Sequence, residues 1–319
     1  MQVLITGGAG FIGSHLVDLL MEKGYKVRVI DNLSYGRLEN LKKWLDDRNL
    51  EFIKGDLRDI SKLSEAMKGV DIVYHLAANP EVRLGEQDPR NIFELNVLIT
   101  YNVLEAMKAN NVKYLAYASS STVYGEAKVM PTPEDYSPLE PISVYGGAKL
   151  ASEATISGFV HTFHLSATIF RLANIVGSRS RHGVIYDFIR KLRANSKKLE
   201  ILGDGTQKKS YLHISDTVEA MYYLTEDTIR RGVEYEVYNI GSEDNITVID
   251  IAKIVSEEMG LSPEIYTTGG VDGGRGWRGD VKYMLLDIKK AKSKGWSPKI
   301  NTSEGAVKRA VKELLDEVS

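Results

Sequence analysis

Gln2–Thr6 is a short apolar stretch that runs without a linker into Gly7-Gly8-Ala9-Gly10-Phe11-Ile12-Gly13, and then into a helical pattern over Ser14–Lys23. No other stretch of the 319 residues restricts the fold so tightly. Leu16, Leu19 and Leu20 mark the buried face of that helix, Gly24 stops it, and Lys26–Ile30 makes a second apolar strand closed by Asp31. A strand, a glycine turn, a helix and a strand in about 30 residues form the unit that binds dinucleotides in doubly wound α/β sheets. Gly7 and Gly10 make the turn and let a pyrophosphate approach the amides at the helix N-terminus, where the helix dipole also favours it. Gly13 lets the helix pack closely on the strand. Asp31 stands 18 residues beyond Gly13, where its carboxylate can accept from both ribose hydroxyls of an adenosine. The same charge would repel a 2′-phosphate, which points to NAD rather than NADP.

The strand pattern continues at Glu51–Lys54, Asp71–Leu76, Tyr114–Ser119 and Leu165–Leu172, with helical segments around Leu38–Leu45 and over Asn91–Asn110. Asp56 and Leu57 follow the third strand, where they can border an adenine or simply form a turn. Small residues, Ala77-Ala78-Asn79-Pro80, follow the fourth. Asn96 interrupts an apolar helix marked by Phe93, Val97, Tyr101, Leu104 and Met107; it either bridges backbone groups or orients a site. Ser119, Ser120, Ser121 and Thr122 crowd hydroxyls at the end of the fifth strand, where ligands bind in open α/β sheets. A proline-rich loop then leads to a helix opened by Ser143.

That helix carries Tyr145-Gly146-Gly147-Ala148-Lys149. Residues four apart share one helix face, so the phenol and the ammonium are neighbours. A phenol useful as a base near neutral pH needs a nearby cation to bring its pKa down from about 10, and Lys149 is placed to supply one. Two adjacent glycines cost about 1 kcal/mol each in a helix interior, so close approach to this turn is expected.

After Asn174 the strand–helix alternation breaks down. Helices are expected at Gly183–Arg193, Thr217–Glu226, Val248–Met259 and Thr302–Glu317, and strands at Leu199–Leu202, Ser210–Ile214 and Glu234–Ile240, with Glu264–Thr267 leading into a glycine-rich loop over Gly269–Gly279. The expected architecture is a Rossmann-type doubly wound parallel sheet with a smaller α/β substrate-binding lobe. Residues 1–174 form the NAD-binding domain, with a returning segment near 234–259; residues 175–233 and 260–319 form the lobe. Formal charge is −2 from 41 basic and 43 acidic residues, which gives no field that favours nucleic acid or an anionic membrane. No apolar run reaches the roughly 20 residues that span a bilayer. There are no cysteines, excluding disulfides, thiolate metal sites and a cysteine nucleophile, and fitting a cytoplasmic protein.

Taken together and in order, the glycine turn, Asp31, Asp56-Leu57, the Ser119–Thr122 hydroxyls and the Tyr145/Lys149 pair resemble the extended short-chain dehydrogenase/reductase family of nucleotide-sugar enzymes. Segments at 209–213, 237–241 and 279–280 extend the resemblance over essentially the whole chain. Within that family, Ser120-Ser121-Thr122-Val123-Tyr124-Gly125 is most similar to the 4-epimerases acting on UDP-galactose and UDP-glucose. Dehydratases of the family carry an acidic pair after the threonine and decarboxylases a glutamate, whereas Val123 stands here.

The resemblance implies that Phe11, Ile12, Asn32, Leu33, Ser34, Tyr35, Gly36, Leu76, Ala77, Ala78, Asn79, Asn96, Ser119, Ser120 and Ala173 join the glycines, Asp31, Asp56, Leu57, Tyr145 and Lys149 around NAD. It places a sugar hydroxyl between Thr122 and Tyr145, with Ser120 nearby, and puts Asn174, Val184, Ile185, Lys209, Arg275 and Asp280 on a nucleotide sugar. Trp277 occupies the expected place of the family's diphosphate arginine, leaving Arg275 and Arg278 as substitutes. Arg179, Arg181 and His182 make a basic loop that either meets a diphosphate or is simply solvated. The family pairs the helices bearing Phe93–Met107 and Tyr145 across a two-fold axis, so a homodimer is expected.

Overall fold

The computed structural model describes residues 1–317. In chain order the elements are β1 (Gln2–Thr6), α1 (Phe11–Glu22), β2 (Lys26–Asp31), β3 (Leu50–Lys54), α2 (Ile60–Ala66), β4 (Ile72–His75), α3 (Leu84–Gln87), α4 (Pro89–Phe93), α5 (Ile99–Ala109) and β5 (Tyr114–Ser120). These are followed by α6 (Val144–Phe163), β6 (Ser166–Leu172), β7 (Asn174–Val176), α7 (Val184–Ala194), β8 (Lys198–Ile201), β9 (Lys208–Lys209), β10 (Tyr211–His213) and α8 (Ile214–Arg231). The chain ends with β11 (Tyr235–Ile240), β12 (Ile246–Thr247), α9 (Val248–Glu258), β13 (Glu264–Thr267), β14 (Tyr283–Met284), α10 (Lys289–Ser293) and α11 (Ser303–Glu317).

Two units share the chain. The first comprises residues 1–120, 144–171 and 218–238. Its seven-stranded sheet has the order β11-β6-β5-β4-β1-β2-β3, and β1 pairs in parallel with both β2 and β4. Order reverses at β1, with later strands added on its β4 side, so the crevice beyond the C-terminal ends of β1 and β4 is the switch point where this architecture binds ligands. Val3, Leu4, Ile5 and Thr6 are wholly inaccessible and all seven residues of β6 are buried, as expected of parallel strands covered on both faces. One face packs Leu4, Ile30, Val73, Leu115 and Ile169 against Val103, Leu104 and Met107 of α5 and Ile156 and Val160 of α6.

The expected helix over 91–110 is not continuous. Glu94–Leu98 is a π-helical segment between α4 and α5. A single π turn makes room for a group that cannot fit the α ladder, and Asn96, buried at its centre, donates from Nδ2 to the Ile92 carbonyl at 2.9 Å. Residues 38–45 do not form a helix of the expected length, having only a 3-10 turn at Leu38–Leu41. Helix α2, absent from the sequence reading, starts on Asp59, whose carboxylate caps the Lys62 amide.

The second unit comprises residues 121–143, 172–217 and 239–317 of the described chain. Its small sheets pair β10 with β7, β13 with β8, and β9 with both β12 and β14. Its core joins Ile185, Phe188 and Leu192 of α7, Ile251 and Val255 of α9, and Val307, Ala310 and Leu314 of α11.

The division departs from the expected boundaries in three places, the first being residues 121–143, which belong with the second unit. Most of α8 belongs with the first unit, where Tyr222 packs edge-on to Tyr25 and Glu226 accepts from the Tyr25 hydroxyl. Helix α9 belongs with the second, because its apolar face is spent on α7 and α11. The returning segment near 234–259 therefore supplies the first unit with strand β11 but not with a helix. Among the described residues no helix is long and apolar enough to cross a membrane.

Candidate active site

The turn after β1 is closed to side chains. A Cβ on Gly13 would lie 2.2 Å from the Gly7 carbonyl oxygen and 2.7 Å from Gly8 Cα. Gly7 has φ +70°, and a Cβ there would lie 2.8 Å from the Ala77 backbone. Helix α1 opens on Gly10 with no side-chain cap, leaving its first amides to an anion. Asp31 accepts from the Ala9 amide (3.0 Å) and the Leu33 amide (2.8 Å). Burial pushes its pKa up, and those two amides pull it back. Ala9 is held from the other side, its carbonyl accepting from the Arg37 amide and Asn40 Nδ2. Gly36 packs against Asp31 Oδ2, Asn32 Oδ1 takes the Ser34 amide, and Tyr35 remains half exposed. Asn96 Oδ1 is buried without a hydrogen-bond partner among the described residues. Uncapped amides, a carboxylate beside them and an orphaned buried acceptor fit a dinucleotide.

Some expected cofactor residues have other occupations. Asp56 accepts from the Arg58 amide, Nε (3.0 Å) and Nη2 (2.9 Å) and from Asn32 Nδ2 (3.2 Å). The Arg58 hydrogen bond outweighs burial and holds the carboxyl at about 2. Little acceptor capacity remains for an adenine, so Arg58, unnoticed in the sequence, owns most of Asp56. Leu57 is a core residue, and its carbonyl accepts from Asn102 Nδ2. The amides of Leu76 and Ala77 donate to Thr6 Oγ1. Ala78 is partly buried, while Asn79 is fully buried and donates to Asn91 Oδ1 at 2.7 Å.

Three successive residues of β5 meet successive turns of α6. Ser120 hydrogen-bonds the Tyr145 hydroxyl. The Ala118 carbonyl accepts from Lys149 Nζ at 2.9 Å. The Ser119 hydroxyl donates to Glu153 Oε1, so Ser119 faces inward to a carboxylate rather than being free for a cofactor. Lys149 Nζ lies 5.8 Å from the centroid of the Tyr145 ring and 5.0 Å from that of Tyr117.

Expected and observed electrostatics differ here. Burial raises the Tyr145 phenol to about 12, with only the Ser120 bond opposing it, and lowers Lys149 to about 7, with Glu153 opposing. In the chain alone, desolvation overrides the neighbouring cation that the Tyr-x-x-x-Lys spacing promised.

His75, also unnoticed in the sequence, ties this region together. Thr100 Oγ1 donates to the Asn96 carbonyl, so it accepts from His75 Nε2 (3.0 Å); His75 Nδ1 then accepts from Thr6 Oγ1 (2.7 Å). Burial and the charge of Lys149 push this imidazole down to about 3, so it is a neutral spacer between the glycine turn and the π segment. An uncharged histidine at the end of an apolar strand was the available signal.

In the second unit, Thr122 lies in the 3-10 turn Ser121–Tyr124, and Val123 behind it is buried. Lys209 Nζ and Asp280 Oδ1 form a 2.6 Å ion pair, and Lys209 lies 5.6 Å from the centroid of the Trp277 ring. Arg275 joins them through Nε to the Asp280 carbonyl, but its other nitrogens reach the Asp272 carbonyl and Glu126 Oε1. That guanidinium staples the glycine-rich loop, while Arg278 is largely exposed and 3.9 Å from Asp272. Asn174 Nδ2 donates to the Ser210 carbonyl, and the Ala173 amide to that of Ile240. Val184 packs on the core and Ile185 lies within it, leaving backbone rather than side chain for a ligand. In the basic loop, the amides of Ser178 and Arg179 are taken by Glu313 and Glu317 of α11. No group of histidines, aspartates or glutamates among the described residues could hold a metal ion.

A sheet reversed at β1, a glycine turn before α1 and a Tyr145/Lys149 helix docked on a serine-ended strand define a short-chain dehydrogenase/reductase of the extended type. Residues 3–241 match the model of the NAD dependent epimerase/dehydratase family, and the chain belongs to that family. It is 36% identical over 318 residues to a putative UDP-glucose 4-epimerase of Methanocaldococcus jannaschii, covering 97% of each chain. A crystal structure of a UDP-galactose 4-epimerase is 45% identical, with a TM-score of 0.90 over the whole of both chains. UDP-glucuronic acid decarboxylase 3 of Arabidopsis thaliana is 32% identical over 314 residues, covering 96% of this chain and 86% of that protein.

Proposed function

We propose that the protein interconverts the 4-epimers of a UDP-hexose, UDP-galactose and UDP-glucose, as a homodimer in the cytoplasm. The observation that carries this reading is the Ser120–Tyr145–Lys149 cluster combined with Val123, an apolar residue where elimination or decarboxylation would need a carboxylate. Similarity to the UDP-galactose 4-epimerase structure over the full chain supports it.

The glycine turn and Asp31 would hold NAD, which would supply reversible hydride acceptance beside C4 of the sugar. Tyr145 removes the proton of the 4-hydroxyl and gives it back after the sugar has turned over. Ser120 orients the phenol, and Thr122 positions the hydroxyl. Lys149 holds its place through the Ala118 carbonyl and offers positive charge to the phenolate as it forms. Asp31 accepts from ribose hydroxyls. Asn174, the Lys209/Asp280 pair and the Arg275 loop hold the nucleotide sugar, so remote contacts retain the 4-keto sugar between the two hydride steps. Lys209 brings a point charge where a guanidinium would bring a fork.

Purified protein given UDP-galactose is expected to form UDP-glucose without added reductant. Failure to interconvert any 4-epimeric nucleotide sugar would overturn the reading. The decarboxylase relative motivates a second reading, which stoichiometric release of carbon dioxide from UDP-glucuronic acid would select. The dimer rests on Phe93, Leu98, Tyr101 and Phe163, all exposed on the helices the family pairs. Sedimentation at micromolar concentration should give twice the 35.5 kDa chain mass; a monomer would refute it.

A further inference from the structure

Glu153 is one of the least accessible carboxylates in the protein, one helical turn beyond Lys149 and on the same face of α6. A buried carboxylate persists only when hydrogen-bonded and paired. Here Ser119 donates to Oε1, and Arg171 of β6 reaches both oxygens, through Nε at 3.1 and 3.2 Å and through Nη2 to Oε2 at 2.7 Å. Arg171 and Lys149 are themselves buried. The cluster therefore holds two cations and one anion.

Stability alone does not call for this arrangement. A buried ion pair is often no better than apolar residues of the same volume, and β6 is apolar on either side of Arg171, with Phe170 and Leu172 buried. What an apolar replacement could not do is oppose the desolvation of Lys149. Adjacent residues of β5, Ala118 and Ser119, fix the lysine and the glutamate respectively, so their spacing is set by the strand as well as by the helix.

We propose that Glu153, clamped by Arg171 and Ser119, is a positioning residue that keeps Lys149 charged beside Tyr145. The proposal rests on Lys149 as the cation of the reactive pair, but it can be tested without substrate. Other titratable groups facing Lys149 push the other way or are silent. His75 on β4 is neutral, and Tyr117 on β5 and Tyr145 on α6 are phenols held above their ordinary values by burial; Tyr235 on β11, raised likewise, neighbours Glu153 and Arg171 instead. Arg171, on the same carboxylate, is a second cation, and like charges disfavour one another. Glu153 is thus the anion that sustains it, consistent with the upward influence of Glu153 on Lys149.

The test is to label the holoenzyme with 13Cε-lysine, assign Lys149 by its loss in Lys149→Arg, and follow its resonance with pH. Glu153→Gln is expected to lower the Lys149 midpoint by about one pH unit or more, the scale of one close charge. Arg171→Met, which removes the competing cation, is expected to raise it. Opposite shifts from neighbouring buried residues are not what a purely structural pair would give. Midpoints that stay put in both variants, or move the same way, would overturn the proposal. If Glu153→Gln does not fold, Arg171→Met and Glu153→Asp carry the test: Arg171→Met must raise the midpoint, and Glu153→Asp must leave it within about half a unit of wild type. Failure here with epimerisation intact refutes the role of Glu153; absence of epimerisation with the shifts intact refutes the catalytic reading.

Discussion

Two glycine-to-alanine substitutions on helices should have opposite effects. Gly13 is the third residue of α1 and Gly147 the fourth of α6. Alanine in place of glycine in an open helix gains about 1 kcal/mol. At Gly147 nothing lies within 4 Å of the added methyl, so Gly147→Ala should stabilise the chain by roughly that amount. At Gly13 the methyl falls 2.2 Å from a backbone carbonyl oxygen and 2.7 Å from a Cα, neither of which can rotate away. Relief requires about 1 Å of backbone movement in the turn, and strain of that kind typically costs about 1–3 kcal/mol. Set against the propensity gain, Gly13→Ala should come out destabilised by up to about 2 kcal/mol, some 1–3 kcal/mol below Gly147→Ala. Urea unfolding of both variants measures the gap, and dinucleotide released on denaturation measures the turn. Gly13→Ala should lose most of its bound NAD, whereas Gly147→Ala should keep it, because residues two apart do not share a helix face and position 147 points away from Tyr145 and Lys149. Equal stability with full dinucleotide content in Gly13→Ala would refute the close-packed turn. A destabilised Gly147→Ala would show that this helix face is not open.

Tyr145→Phe should lower turnover at least a hundredfold with bound NAD unchanged, as expected for loss of an acid–base group; full activity would dismiss the assigned base. Arg58→Ala should strengthen dinucleotide retention, because it removes the guanidinium bonds to Asp56 Oδ1 and Oδ2 and leaves only the backbone amide and Asn32 on that carboxylate; an unchanged release rate would mean that Asp56 plays no part in the cofactor site. Acid unfolding should depend on Glu313. Burial raises its pKa, but hydrogen bonds led by that from His213 bring it down to about 2 from an ordinary 4.5, so it stabilises the fold above pH 4.5 and loses that contribution as pH falls toward 2. Glu313→Gln should flatten that part of the acid limb; an unchanged slope would dismiss the link.

The first unit was legible because its signals are local. Glycine spacing, Asp31 at a strand end and apolar runs of strand length report directly on a sheet buried on both faces. The π segment was not legible, because one extra residue in a helical turn leaves the apolar period almost intact. Asn96 was its visible trace. In the second unit the elements were found but not their allegiance. Helices α8 and α9 have similar amphipathic patterns, and only the surfaces they meet decide which core each joins. The site shows the same limit. Tyr145 and Lys149 announce themselves by spacing, whereas Glu153 and Arg171 become a pair only when β6 is laid beside α6, and Arg58 claims Asp56 only once the turn after β3 has formed.

Residue spacing also misjudged the resting charge of the pair. With burial holding the phenol up at about 12 and the ammonium down at about 7, moving a proton from Tyr145 to Lys149 costs free energy in the chain alone. Attraction between the phenolate and the ammonium it would create recovers part of that, since coupled buried groups titrate as a pair. The remainder has to come from positive charge that enters with a ligand. The chain therefore supplies geometry, one hydrogen bond from Ser120 and a counter-ion for Lys149, and it holds its base inert until the crevice is filled. On this argument the cofactor-free protein should show no tyrosinate absorbance from Tyr145 at neutral pH. A phenolate signal there that disappears in Tyr145→Phe would mean that Lys149 alone suffices.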